Sequence, residues 1–181
     1  MTTIGRFLEG RGLALVGYRG SGKSTVGRIL ADRTALPFVD LDREIEGLVG
    51  RSISEIFAES GESEFRDLEE QTLQAVTADD SRAVIATGGG IVLRDANRRR
   101  LRKFGPVVWL RADAALLAAR LANDKHGLAG RPPLTAAGTL LEIEQILETR
   151  TPLYSALADA VIETGGKTPG DVAAEILGRF A

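Results

Sequence analysis

Four consecutive apolar residues, Leu13-Ala14-Leu15-Val16, open the legible part of the chain. The run is too short for a helix and lacks the polar alternation of a strand with one wet face. It therefore reads as a strand covered on both sides. Similar short runs at 37–40, 83–86, 107–110 and 160–162 predict four more strands. Between them the apolar positions recur at helical spacing, as at Val26, Ile29 and Leu30. That spacing predicts helices over 23–34, 42–48, 54–59, 62–76, 95–104, 114–122, 137–158 and 169–179. Strands that alternate with helices imply right-handed βαβ units and a parallel sheet. The expected fold is α/β: one three-layer α/β/α sandwich over residues 1–181 with a five-stranded parallel sheet. Ligands in such sheets bind beyond the carboxyl ends of the strands.

The first strand runs directly into Gly17-Tyr18-Arg19-Gly20-Ser21-Gly22-Lys23-Ser24-Thr25. This matches G-x-x-x-x-G-K-[ST], the phosphate-holding P-loop, in the strand–loop–helix context the motif requires. Glycines let backbone N–H groups close around an anion, and the helix N-terminus adds unpaired donors and partial positive charge. The nucleotide phosphates are expected on residues Gly20, Ser21, Gly22, Lys23, Ser24 and Thr25. Lys23 reaches the β- and γ-phosphates, and the Ser24 hydroxyl ligates Mg²⁺.

Three further stretches could take part in phosphoryl transfer. Asp40-Leu41-Asp42 closes the second strand, and alternation along an extended strand points both carboxylates the same way. Asp40 is expected to help hold Mg²⁺ and Asp42 to orient or deprotonate a hydroxyl. Asp42 also suits the N-cap of the helix that follows, and both readings stand. Thr87-Gly88-Gly89-Gly90 follows the third strand and would let backbone approach a ligand closely. Arg66 and Arg150 each carry the five-donor fork that grips a carboxylate, although taken singly either could be a surface residue. Arg98-Arg99-Arg100 reads as the exposed face of a helix. The stretch from Asn123 to Leu134, with two glycines, two prolines and Arg131, is a candidate lid over about 122–137, or else a plain surface connection. The residues alone thus describe a P-loop phosphotransferase with a small, potentially anionic acceptor.

Composition narrows the classes. Of 181 residues, 44% are hydrophobic and 27% charged, with a net charge of −2. No global basic field recruits nucleic acid or anionic membrane. The absence of cysteine removes disulfides, thiolate catalysis and zinc–thiolate sites. The single histidine, His126, cannot build a multi-histidine metal site. With no apolar h-region over 1–12 and no run near 20 residues, neither a signal peptide nor a bilayer span is expected. A cytoplasmic monomer is the expectation.

The ordered set Gly17–Thr25, Asp40-Leu41-Asp42, Gly61-Glu62-x-x-Phe65-Arg66, Thr87-Gly88-Gly89-Gly90, Arg131-Pro132-x-Leu134 and Arg150-x-x-x-Tyr154 resembles the shikimate kinase family. The resemblance covers nearly the whole chain after the first dozen residues. It implies a nucleoside-monophosphate-kinase-like P-loop fold with a mobile lid. The implied reaction is ATP-dependent, Mg²⁺-assisted phosphorylation of the shikimate 3-hydroxyl, on the route to chorismate and the aromatic amino acids. Carried over by position, Asp42 would contact the reacting hydroxyl, and Arg66 and Arg150 would hold the shikimate carboxylate. Gly89 and Gly90 would supply close backbone contacts. Lys23 and Arg131 would stabilise the transferring phosphoryl group. On the adenine side the resemblance points to Arg120, with Lys125 behind it, and to Lys167, where the family often has arginine. The lid reads Arg-Pro-Pro-Leu where the family often shows Arg-Pro-Leu-Leu. A gluconate-type kinase and a non-catalytic nucleotide-binding module are the alternatives. A P-loop switch is disfavoured by the lack of an N-K-x-D motif.

Overall fold

A computed structural model of the chain describes residues 12–78, 81–123 and 139–180. Strand β1 (Leu13–Val16) is buried at every position. It lies at the centre of a five-stranded sheet with β2 (Phe38–Asp40), β3 (Val84–Ala86), β4 (Val107–Arg111) and β5 (Ala160–Glu163), in the order β2-β3-β1-β4-β5. Every pairing is parallel. The helices are α1 (Lys23–Thr34), α2 (Leu41–Val49), α3 (Ile53–Val76), α4 (Asp95–Phe104), α5 (Ala114–Asn123), α6 (Thr139–Leu157) and α7 (Pro169–Arg179).

The period of two along β1 builds the three layers. Leu13 and Leu15 join a cluster with Val26 and Leu30 of α1 and Val172 and Ile176 of α7. Ala14 and Val16 enter the opposite cluster with Ile45 of α2, Phe65 and Leu73 of α3, Leu101 of α4 and Tyr154 of α6. Strand β4 divides in the same way, Val108 and Leu110 to one side, Val107 and Trp109 to the other. This double burial is why both strands read as continuous apolar runs.

The connections leaving β1 and β3 run in opposite directions across the sheet, since β1 leads to β2 and β3 leads to β4. A crevice at the carboxyl ends of these two neighbours follows from that reversal. The P-loop and the Thr87–Gly90 segment both open there.

The structure departs from the sequence expectations at four points. Strand β2 stops at Asp40, and α2 begins at Leu41 with Asp40 in the N-cap position. Asp42 is therefore in the first helical turn. It is not the cap, and the alternation argument that pointed Asp40 and Asp42 the same way does not apply. The helices expected at 54–59 and 62–76 run on as α3, broken only at Gly61, where φ is 77° and ψ is 179°. A 3₁₀ turn over Ile91–Leu93 was not anticipated. Arg98 also departs from a solvated helix face, because its guanidinium turns back to donate to the carbonyls of Val92 and Leu93. The candidate lid from 124 onward, with Lys125, His126 and Arg131, lies outside the described residues.

Candidate active site

The phosphate loop is shaped by left-handed backbone at Gly20 (φ 79°) and Gly22 (φ 97°). Gly22 is the N-cap of α1, so the first helical residue is Lys23 and the helix N-terminus faces the loop. The Lys23 ammonium donates to the carbonyls of Gly17 and Tyr18, both at 2.8 Å. It also lies 3.5 Å from Ser21 Oγ. Ser21 is buried beneath the loop and Thr25 is exposed on α1. Ser24 Oγ donates to Asp40 Oδ2 at 2.7 Å. This brings together the two residues expected to serve a cation. A hydroxyl and a carboxylate are hard oxygen donors, which suits Mg²⁺. Among the described residues no group of three or more His, Asp or Glu side chains could hold a metal. One carboxylate, one hydroxyl, waters and substrate phosphates is the composition Mg²⁺ ordinarily takes in such sites.

A second set of side chains gathers at the three glycines after β3. Thr87 terminates the strand, its hydroxyl and amide both donating to the Leu15 carbonyl of β1. Gly88 has no room for a side chain: a Cβ there would lie 2.8 Å from Asp42 Oδ1 and 2.9 Å from Glu69 Oε1. The two carboxylates, from α2 and α3, thus both face the Gly88 Cα. Gly89 packs onto the P-loop, where a Cβ would come within 3.4 Å of the Arg19 amide nitrogen and 3.5 Å of the Gly17 carbonyl. A Cβ at Gly90 would overlap the Arg66 guanidinium.

Two arginines converge on these glycines from different helices. Arg66 of α3 lies over Gly90 and donates to Glu69 Oε2 at 2.8 Å and to Glu62 Oε1 at 3.1 Å. Glu69 has no exposed surface, so Arg66 is held by a desolvated partner that it could not lose cheaply, at about 3–5 kcal/mol for breaking such a pair. Arg150 of α6 donates to the Gly89 carbonyl at 3.1 Å. One turn along, the fully buried Tyr154 donates its hydroxyl to the same carbonyl and stacks on Trp109 of β4. Burial pushes the Tyr154 phenol up to about 12, with the Arg150 guanidinium pulling the other way. The phenol therefore acts as a neutral donor that anchors Gly89.

On the far side of the P-loop, Arg120 of α5 donates to the carbonyl of Gly20 at 3.2 Å and to Thr164 Oγ1 and O, each at 3.0 Å. Lys167, in the same turn as Thr164, pairs with Glu175 of α7. A cavity of about 460 Å³ lined by Trp109, Arg111, Asp113 and Leu147 contains none of the acceptor-side residues.

The structure thus groups Lys23, Ser24 and Asp40 at the phosphate loop, Asp42, Arg66, Arg150, Gly89 and Gly90 beside it, and Arg120 and Lys167 on the opposite flank. Arg131 lies outside the described residues. Sequence reasoning assigned no role to Glu69 or Thr164, took Gly88 only as part of the Thr87–Gly90 stretch and Tyr154 only as a member of the Arg150-x-x-x-Tyr154 motif. Glu69 and Tyr154 carried a signal, since they lie at i+3 from Arg66 and i+4 from Arg150, on the same helical faces. Nothing local marked Thr164.

Comparison with known proteins shows the family. A family model described as shikimate kinase matches residues 19–181. The shikimate kinase of Rhodopirellula baltica is 44% identical over 91% of this chain and 88% of its own. That of Thermodesulfovibrio yellowstonii is 41% identical over 94% and 95%. Among solved structures, shikimate kinase from Acinetobacter baumannii in complex with shikimate superposes with a TM-score of 0.84 at 37% identity, covering 92% of this chain and 90% of that one.

Proposed function

Since the chain belongs to the shikimate kinase family, we propose that it transfers the γ-phosphoryl group of ATP to the 3-hydroxyl of shikimate, giving shikimate 3-phosphate and ADP. The observation that carries the reading is the convergence of Arg66 and Arg150 on Gly89 and Gly90, beside the Asp42 carboxylate at Gly88. Two guanidinium forks on one short backbone segment suit a single carboxylate. A carboxylate at the adjoining glycine, Gly88, suits the hydroxyl that is to react.

In this reading Arg66 and Arg150 bind the acceptor carboxylate, and the close packing of Gly89 on the P-loop brings the acceptor against the phosphates. Asp42 accepts the hydroxyl proton or holds the hydroxyl in line. Lys23 stays at the loop and meets charge developing on the transferring group. Such chemistry rests on positioning and charge neutralisation more than on covalent steps. Ser24 and Asp40 would hold Mg²⁺, which when bound supplies charge to the β- and γ-phosphate oxygens. Arg131 is proposed to add a second cation to the transferring group, and Arg120 and Lys167 to serve the nucleotide side. The roles of Arg120 and Lys167 rest on the resemblance together with the positions described above, that of Arg131 on the resemblance alone. A monomer that engages neither nucleic acid nor membrane completes the proposal. No helix among the described residues is long and apolar enough to cross a bilayer.

Steady-state kinetics of Arg66→Ala test the acceptor site. The Michaelis constant for shikimate is expected to rise by about ten- to a hundredfold, the worth of charge-assisted hydrogen bonds, with that for ATP little changed. A selective loss of ATP affinity instead would remove Arg66 from the acceptor site.

A further inference from the structure

Three of the hydrogen bonds around the P-loop meet at one guanidinium. Arg120 bridges the Gly20 carbonyl and Thr164, whose side-chain hydroxyl and backbone carbonyl each accept from a different terminal nitrogen. Thr164 is well placed to dictate that orientation. It is only 3% exposed. It directly follows β5, and its amide donates to the Arg111 carbonyl at 2.9 Å, which extends the β4–β5 pairing past the last strand residue. Both acceptors are therefore held by the sheet, whereas Arg120 sits on the last turn of α5 with a long, rotatable side chain. Among the described residues Arg120 makes no ion pair, so its contacts to Thr164 and Gly20 hold the plane of the guanidinium without cancelling its charge. Gly20 is itself in left-handed backbone with φ 79°, at the turn that aims the loop amides at phosphate.

We infer that Thr164 is a positioning residue for nucleotide binding: its hydroxyl locks Arg120, and through Arg120 the Gly20 turn of the P-loop, into the shape that receives ATP. The inference rests on the P-loop being the nucleotide site, but it does not depend on which acceptor the enzyme uses. Thr164→Val keeps the shape and removes the acceptor oxygen, leaving the carbonyl contact in place. A charge-assisted hydrogen bond of this kind corresponds to about a tenfold change in affinity.

Calorimetric titration with ADP, alongside kcat and both Michaelis constants, reads the effect. Thr164→Val is expected to weaken ADP binding and to raise the Michaelis constant for ATP by about five- to tenfold, while kcat and the constant for shikimate stay within about twofold. Thr164→Ser, which restores the hydroxyl, is expected to restore nucleotide affinity. In an Arg120→Ala background Thr164→Val is expected to add nothing further, the mark of action through a shared partner. If the valine variant does not fold, Thr164→Cys, with a weaker acceptor of similar shape, is measured in its place. Unchanged ADP affinity would overturn the inference. So would a parallel loss in kcat and both constants with a lowered Tm, or an undiminished effect without Arg120. The ADP titration needs no acceptor, so a wrong substrate assignment would leave this result standing.

Discussion

Asp42 owes its position to two local features: α2 starts one residue before it, and Gly88 leaves its carboxylate room. Its place in the first turn of α2 sets where the carboxylate projects, toward the Gly88 Cα. Replacing one oxygen in Asp42→Asn keeps the shape and removes the basicity. Turnover is expected to fall by about a hundredfold or more, with ADP affinity unchanged in a calorimetric titration. Retained turnover would take Asp42 out of the proton-handling role. At this scale much of the site was legible before any coordinates, because Lys23, Ser24, Asp40 and the glycines occupy motif positions whose chemistry follows from residue type. Glu69 and Thr164 were not assigned. Glu69 lies one helical turn from Arg66, but that spacing alone does not show that the pair is buried, and Thr164 gains its role from Arg120, on a distant segment of the chain. Asp42 was picked out from the sequence but misread in direction, since whether the chain at 40–42 is strand or helix decides where its carboxylate points.

Helix α3 sets the acceptor side, and its break at Gly61 sets α3. An L side chain at φ 77° and ψ 179° is strained wherever it is placed, and the surroundings offer open space, so the requirement for glycine is one of backbone rather than packing. The first half is started by a reciprocal capping box between Ser52 and Glu55. The second half carries Arg66 and Glu69 on one face. Gly61→Ala is expected to cost about 1–3 kcal/mol. Thermal unfolding should then shift down by about 2–4 °C for each kcal/mol in a chain of this size. An unchanged melting temperature would show that the break is not enforced by backbone strain. The break was visible in the sequence as two helical patterns separated by Gly61. The start of α2 was read one residue late, because Asp40-Leu41-Asp42 satisfies strand alternation as well as helical entry; in the structure Asp40 closes β2 and accepts from Ser24, while Asp42 lies in the first turn of α2.

Across the whole molecule, the P-loop and the Thr87–Gly90 segment open at one end of the sheet because β1 and β3 are neighbours whose connections diverge. Five strands, their parallel sense and the layers around them were readable from apolar runs and helical spacing. The order β2-β3-β1-β4-β5 was not, because pairing between distant segments leaves no periodic trace. Tyr154 ties the second layer to the sheet through Trp109 and to the site through Gly89, and its raised pKa gives that tie a pH signature. Between about 10, the ordinary tyrosine value, and about 12, the unfolded chain has released the phenolic proton while the folded chain keeps it. Stability from this group is therefore complete below pH 10 and falls as pH rises towards 12. Urea midpoints measured across that range are expected to decline more steeply for the unsubstituted protein than for Tyr154→Phe, and parallel curves would contradict the burial argument. The central claim concerns the acceptor. ADP release measured with ATP and Mg²⁺ against shikimate, quinate, gluconate, AMP and no acceptor tests it most directly. A signal with shikimate that far exceeds every other condition is expected. A comparable or greater signal with gluconate or AMP, or none with shikimate while ADP still binds, would contradict it.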